Sequence, residues 1–415
     1  MYDWYTKFIS IEIKNILLHE INMMLCCMKN KISILYYEPT SGYGGSARCL
    51  LGWLKHLDTN RFSPIIFLHY YNNGPALQEI KKLGFEIKYI YLKRYAFNKL
   101  PGLLKIVLNF ILFYLPVALI FAFYTIKRKI KILHLNCIIS GVIPGIIASI
   151  ITGVPCICHI HDSSIPSKFD ILWGRFVDVF ITLTDKGKEM YRALFPNKKV
   201  IRIYNGIESS LNINETEVKK IKTSFNIPDN WKVVGIIGRI LPGKGFDDFI
   251  QAAKLVKEKV PNSKFVIVGN SICDENSEEQ KLKQMVRYLN LHNDVIFAGW
   301  QDDIQNFISF FDVLVQASSY YPEGFGLTCI EGMRQSKPLV VTNIPGPSEI
   351  VVNNQTGFIV TPQKPNELSE AIIKIIENPE LAERFGKFGK ERFESLFTID
   401  KTVTAIQGLY VNLVK

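Results

Sequence analysis

The sequence predicts an α/β chain: two Rossmann-like parallel-sheet domains of similar size that face each other across a cleft. Three observations lead there. The chain has 415 residues, more than one hydrophobic core usually serves, and two domains of roughly 150–200 residues are the natural division. Its hydrophobic fraction is 48%, ample for two cores. From residue 32 onward, short apolar runs alternate with amphipathic segments, the pattern of βαβ units and a parallel sheet.

Taken in order, 32–37 reads as a first strand, Gly42-Tyr43-Gly44-Gly45 as a loop and 46–57 as a helix. A strand at 64–69, a helix at 76–83 and a strand at 87–91 follow, then strands at 132–135, 156–160, 179–183 and 200–203. Tyr204-Asn205-Gly206-Ile207 marks an exit turn, and the polar stretch 208–230 reads as the connection. The second series begins with a strand at 233–237. It continues through a helix at 246–259, a strand at 265–268, a helix at 278–289 and strands at 295–297, 313–316, 339–341 and 357–360. A final helical segment, 381–413, carries a break near 396–399. The resulting division is an extension 1–29, an N-terminal domain 30–207, a C-terminal domain 208–395 and a terminal helix 396–415 that crosses back to the first domain. Residues 1–27 lack the basic, apolar, small-residue order of a secretory signal, and read as an accessory or misassigned leader.

The net charge is +11. Lys and Arg are spread out and no nucleic-acid module appears, so the excess points to anionic ligands and membrane surface rather than nucleic acid. The eight cysteines show neither zinc spacing nor a disulfide framework, which fits free thiols in a reducing cytosol. The span 106–126 is almost wholly apolar and is flanked by Lys99, Lys105, Lys127, Arg128, Lys129 and Lys131. Its length permits a membrane crossing. Because it lies between two strands of one expected sheet, a membrane-associating segment 103–126, lying in the plane and kinked at Pro116, is the favoured reading over a crossing or a buried helix.

Four segments carry candidate chemistry. Glu323 and Glu331 stand eight positions apart in Pro322-Glu323-Gly324-Phe325-Gly326-Leu327-Thr328-Cys329-Ile330-Glu331. Such a pair occurs by chance in many proteins, but the Gly-Phe-Gly turn between them does not resemble a solvated helix face. It frees a tight loop at the start of a helix at 328–335, where backbone amides and the helix dipole favour an anion. In Gly238-Arg239-Ile240-Leu241-Pro242-Gly243-Lys244-Gly245, Arg239 and Lys244 sit at a strand end. A planar fork and a point charge there suit a diphosphate, although the order is not that of a P-loop. Gly44 and Gly45 open the first helix. His159-Ile160-His161-Asp162 closes a strand, with both histidines on one face. A metal pair is conceivable, but no third ligand is evident.

These segments together resemble the retaining GT-B glycosyltransferases, family 4 (glycosyl transferases group 1). The run from Glu323 to Glu331 resembles the family's E-x7-E signature, and 238–245 its G-R-x-x-x-x-K-G segment. The loop at Gly44 and Gly45 resembles its glycine-rich loop, with Gly-Gly-Ser-Ala where Gly-Gly-Ala-Glu is common. The resemblance spans about 32–360 and is strongest over 234–360. It implies that Glu323 holds sugar hydroxyls and Glu331 the ribose hydroxyls. Gly324, Phe325, Gly326, Leu327 and Thr328 would present amides to sugar and phosphate. Arg239 and Lys244 would bind the donor diphosphate, and His161 would touch the transferred sugar. No D-x-D triplet occurs, so metal-independent chemistry is expected, with no cofactor beyond the nucleotide diphosphate sugar. The expected reaction is sugar transfer with retention to a hydroxyl of a glycan or lipid-linked acceptor, in bacterial surface polysaccharide biosynthesis. Its expected place is the cytoplasmic face of the cell membrane, peripherally bound. The rivals are a nucleotide-sugar epimerase or phosphorylase of the same fold, a non-catalytic nucleotide-sugar-binding partner subunit, and a membrane scaffold.

Overall fold

The structure is a computed structural model and describes residues 31–42, 44–92, 101–271, 278–320 and 323–414. The leader expected at 1–27 and the loop residues Tyr43 and Pro322 lie outside it. Two all-parallel sheets account for the described strands. The first has seven strands in the order β3-β2-β1-β4-β5-β6-β7: β1 (Ile32–Glu38), β2 (Phe62–His69), β3 (Glu86–Ile90), β4 (Ile132–Leu135), β5 (Cys156–His159), β6 (Val179–Thr182) and β7 (Lys199–Arg202). The second has six in the order β10-β9-β8-β11-β12-β13: β8 (Lys232–Ile237), β9 (Ser263–Val268), β10 (Val295–Gly299), β11 (Val313–Gln316), β12 (Leu339–Thr342) and β13 (Gly357–Val360). In both, the order reverses beside the first strand. The two switch points are therefore at the carboxyl ends of β1 and β4 and of β8 and β11, where sheets of this topology take ligands.

Both sheets are covered on two faces, which is why their strands are nearly continuous apolar runs. β8 shows how tightly: a Cβ on Gly235 would come within 2.0 Å of the Phe311 ring. Several helices escaped the sequence reading. Ile139–Thr152 contains Gly141, Pro144 and Gly145 and is buried over most of its length, so it has neither amphipathic period nor clean propensity. Gly145 is required there because a Cβ would sit 2.2 Å from Leu135. Lys168–Gly174, Asp185–Leu194 and Pro365–Ile376 are further helices beyond those expected from the sequence. The expected connection 208–230 contains a helix, Glu215–Ser224, started by Asn214, whose side chain accepts the amides of Thr216 and Glu217.

The apolar span forms a helical run: Gly102–Asn109, a π turn at Phe110–Tyr114, and Leu115–Lys127. Pro116 follows the π turn at the start of the last piece, where a residue without an N–H is tolerated because the wide turn has already broken the i→i−4 ladder. By length and composition the run could cross a bilayer. One face nonetheless belongs to the core: Phe113, Tyr114, Val117, Ala118, Phe121 and Ala122 are buried against the first sheet. The other face exposes Ile111, Leu112, Leu119, Ile120, Phe123 and Ile126. A crossing is incompatible with that burial, and with flanking strands β3 and β4 that belong to one sheet.

The terminal helices are Pro379–Leu396 and Ile399–Val414, so the break falls at Phe397 and Thr398. The second of them leaves the C-terminal half and packs into the N-terminal core through Ile399, Val403, Ile406, Leu409 and Tyr410. Tyr410 donates or accepts at Tyr36 Oη (2.8 Å) and His134 Nδ1 (2.6 Å), deep under β1 and β4.

Candidate functional site

The second switch point is built by two loops that fit only because of glycine. After β8, Gly243 (φ +81°) and Gly245 (φ +76°) take left-handed conformations, and a Cβ on Gly245 would lie 1.9 Å from the Ala317 carbonyl. The Ser319 amide donates to the Gly243 carbonyl at 2.8 Å. With the loop after β8 stitched in this way to the loop after β11, Lys244 Nζ reaches Glu323 and forms an ion pair whose side chains are about 85% buried. Glu323 Oε2 also accepts from Gln316 Nε2 (3.1 Å), and Gln316 Oε1 accepts from Thr328 Oγ1 (3.1 Å). Gln316 ends β11 and holds the acid and the helix start in one frame. Arg239 lies partly buried in the same loop as Lys244.

The helix Leu327–Arg334 starts at Gly326 (φ +101°) without a side-chain cap, so no side chain from the cap position takes the amides of its first turn. The Phe325 ring is buried between Tyr204 and Phe397, each 5.8 Å away centroid to centroid, and serves packing. Glu331 lies on this helix and is 3% exposed. Its Oε1 accepts from Arg48 Nη2 at 2.8 Å, while its buried Oε2 has no partner in the protein. Arg48 belongs to the helix Gly45–Lys55 of the N-terminal half, so this ion pair spans the cleft.

The N-terminal half meets these loops closely. Gly44 caps the helix Gly45–Lys55 without a side-chain bond, and a Cβ on it would meet nothing within 4 Å. A Cβ on Gly45 would lie 3.3 Å from Leu327 Cδ1, so two uncapped helix starts face each other. Gly324 is set against the carbonyl of His161, with only 1.9 Å to spare for a Cβ. His161 Nε2 lies 2.7 Å from Asn136 Oδ1, and its ring stacks on His159 at 4.4 Å. His159 stacks in turn on Trp53 (4.7 Å, 8°). Burial holds both His161 and His134 down to about 3, so these rings are neutral. Burial also raises Asp162, whose Oδ1 accepts the Ser164 amide at 3.1 Å.

The structure thus brings His161, Gly45, Lys244, Glu323, Gly324, Leu327, Thr328 and Glu331 to one cleft. Among the described residues no group of three or more His, Cys, Asp and Glu side chains is placed to hold a metal. Burial pushes up the thiols of Cys49, Cys137, Cys156, Cys158 and Cys329, which removes them as nucleophiles. Sequence reasoning missed Arg48, Gln316, Asn136 and Glu38. Gln316 and Glu38 each end a strand at a switch point, a signal available in the sequence. Arg48 carries no signal of its own, since its partner is 283 residues away.

Residues 217–392 match the family model "Glycosyl transferases group 1". The chain is 33% identical over 208 residues to a poly(ribitol-phosphate) alpha-N-acetylglucosaminyltransferase of Staphylococcus aureus, covering 48% of this chain but only 41% of that one. It is 28% identical over 307 residues to the UDP-Gal:alpha-D-GlcNAc-diphosphoundecaprenol alpha-1,3-galactosyltransferase of Escherichia coli, covering 69% of this chain and 77% of that one. In fold it is similar to Anabaena Alr3699/HepE, solved in complex with UDP, with a TM-score of 0.77 at 21% identity over 92% of this chain and 100% of that one. The match to the glycosyl transferases group 1 family is confined to residues 217–392, and the fold of the chain is that of HepE, two parallel-sheet halves across a cleft.

Proposed function

We propose that this chain moves a sugar from a nucleotide diphosphate sugar to a hydroxyl of a glycan or lipid-linked acceptor, with retention at the anomeric carbon, as a family 4 enzyme of bacterial surface polysaccharide biosynthesis. The observation that carries this reading is the Lys244–Glu323 pair at the second switch point, set against His161 of the opposite half. Arg239 and Lys244 offset the charge of the departing nucleoside diphosphate, with the amides of Gly324 to Thr328 and the helix starts at Gly44 and Leu327. Glu323 holds hydroxyls of the sugar, and His161 touches it from the other side. Glu331 takes the ribose hydroxyls, for which its unpartnered Oε2 is a ready acceptor. The cations do the work of a metal ion, so the reaction is metal-independent. No side chain is cast as a nucleophile. The departing phosphate accepts the acceptor's proton on the face from which it leaves, and closure of the halves excludes water. Support for the donor class comes from HepE, solved with UDP and with UDP-glucose, and for a lipid-linked acceptor from the name of the E. coli relative.

The exposed apolar face of the helical run, with Lys105, Lys127, Arg128 and Lys129 around it, binds the cytoplasmic leaflet of the cell membrane peripherally. The double variant Leu119→Asp, Phe123→Asp should lose co-sedimentation with anionic lipid vesicles and keep its melting temperature. Undiminished sedimentation would refute this contact.

A thermal-shift screen against UDP, GDP, ADP and CMP and their common sugar derivatives, with EDTA present, tests the donor site. Ligand at 100 times its Kd should add about 2.7 kcal/mol of stability. One nucleoside diphosphate should raise the melting temperature of the wild type and not of Glu331→Ala. No shift with any of them, from folded protein, would favour the membrane scaffold, which leaves the glycine loops and the cations Arg239 and Lys244 unexplained. An epimerase of the same fold has no need of the exposed apolar face.

A further inference from the structure

Glu38 is the last residue of β1, at the first switch point, and is fully buried. Among the described residues no Lys or Arg pairs with it. Both carboxyl oxygens are accepting: Oε1 takes the Thr40 amide at 2.9 Å, and Oε2 takes Asn136 Nδ2. Asn136 follows β4 and is also fully buried. The same Nδ2 points to a second acceptor, the Ser46 carbonyl, at 3.4 Å. An amide nitrogen donates and its oxygen accepts, so these two acceptors orient the Asn136 amide. They leave its Oδ1 as the group that faces His161 Nε2 at 2.7 Å. An acceptor at that distance requires a proton on Nε2. The ring is neutral in its buried stack, so Nδ1 is left with a lone pair.

We propose that Glu38 and Asn136 are positioning residues that lock His161 in its Nε2–H tautomer, making Nδ1 a hydrogen-bond acceptor for a hydroxyl of the transferred sugar. The second half of this rests on the role given to His161 above; the first half does not. The device spans the carboxyl ends of three strands: the acid ends β1, the amide follows β4 and the imidazole follows β5. It operates where chain segments distant in sequence meet only after the sheet forms. The stack of Trp53, His159 and His161 fixes the ring plane, and the relay fixes which nitrogen carries the proton.

The experiment is imidazole ¹⁵N–¹H correlation spectroscopy of the ¹⁵N-histidine-labelled full chain, alongside steady-state kinetics. His161 signals are assigned with His161→Ala. Wild-type protein should show His161 as the Nε2–H tautomer. In Glu38→Gln, shape is kept, but an amide NH₂ must face either the Thr40 N–H or Asn136 Nδ2, two donors against one another. Turning Asn136 relieves the conflict and moves His161 toward Nδ1–H. The variant should show that shift and a kcat lower on the order of tenfold, with donor KM and melting temperature nearly unchanged. Asn136→Asp, in which the new carboxyl shares a proton with Glu38 and turns its other oxygen as an acceptor to His161, should keep Nε2–H. A wild-type ring found as Nδ1–H, or a Glu38→Gln ring unchanged from wild type, overturns the proposal. A shifted tautomer with undiminished kcat upholds the lock and overturns the sugar contact. Full activity in His161→Ala overturns that contact independently.

Discussion

Lys244→Ala is expected to lower kcat/KM by roughly 10²–10³-fold, the usual effect of deleting one preorganised group from a site of developing negative charge. Lys244 is placed for this by two glycines in left-handed conformations, and its ammonium is held by Glu323. Its removal has a second consequence. Glu323, about 16% exposed along its side chain, keeps its hydrogen bond from Gln316 but loses its cation, so a stability loss of about 1–3 kcal/mol should accompany the kinetic defect. The two effects separate by measurement. Kinetics well below the variant's melting temperature read the first, and urea unfolding reads the second. A kinetic loss smaller than tenfold in folded protein would mean that the leaving diphosphate does not lie against Lys244.

Gly324→Ala should be nearly as damaging although it deletes nothing. Its Cβ would come within 1.9 Å of the His161 carbonyl and 2.9 Å of Asp162 Cα. These are backbone atoms, so no rotamer change relieves the collision. The loop and the strand end must separate by about an ångström, and a displacement of that size between reacting groups costs on the order of 10²-fold in rate. In the proposed arrangement the nucleotide is held mainly by groups on the C-terminal side, so its affinity should fall less than kcat. Turnover together with the UDP-induced thermal shift measures both. Gly324→Ala with wild-type kcat would show that the His161–Gly324 contact opens during the reaction.

How much of this was legible in the sequence depends on how local each feature is. The strands of both sheets could be read because buried parallel strands are short apolar runs between glycines and polar turns. The helix Ile139–Thr152 could not, since burial over most of its length erases the amphipathic period and Pro144 and Gly145 argue against a helix. Gly145 is explained only by Leu135, which the sheet brings beneath it. The apolar run 106–126 was ambiguous for a related reason. Composition alone does not say which face is buried, whereas Phe121 packed edge-to-face against Tyr37 and Phe67 does.

The sequence by itself determined the α/β class, two parallel sheets, the glycine loops and the acid and base types at strand ends. Each of these follows from a periodicity or from a residue's own conformational range, which a few neighbouring positions express. Tertiary structure alone decided the pairings: Arg48 with Glu331, Lys244 with Glu323, Gly324 against His161, and Glu38 with Asn136 and His161. It also decided that the last helix returns to the first core, where Tyr410 meets Tyr36 and His134. The physical reason is that such contacts depend on strand order and close packing between segments up to 374 residues apart. No local preference of the chain records where those segments will meet.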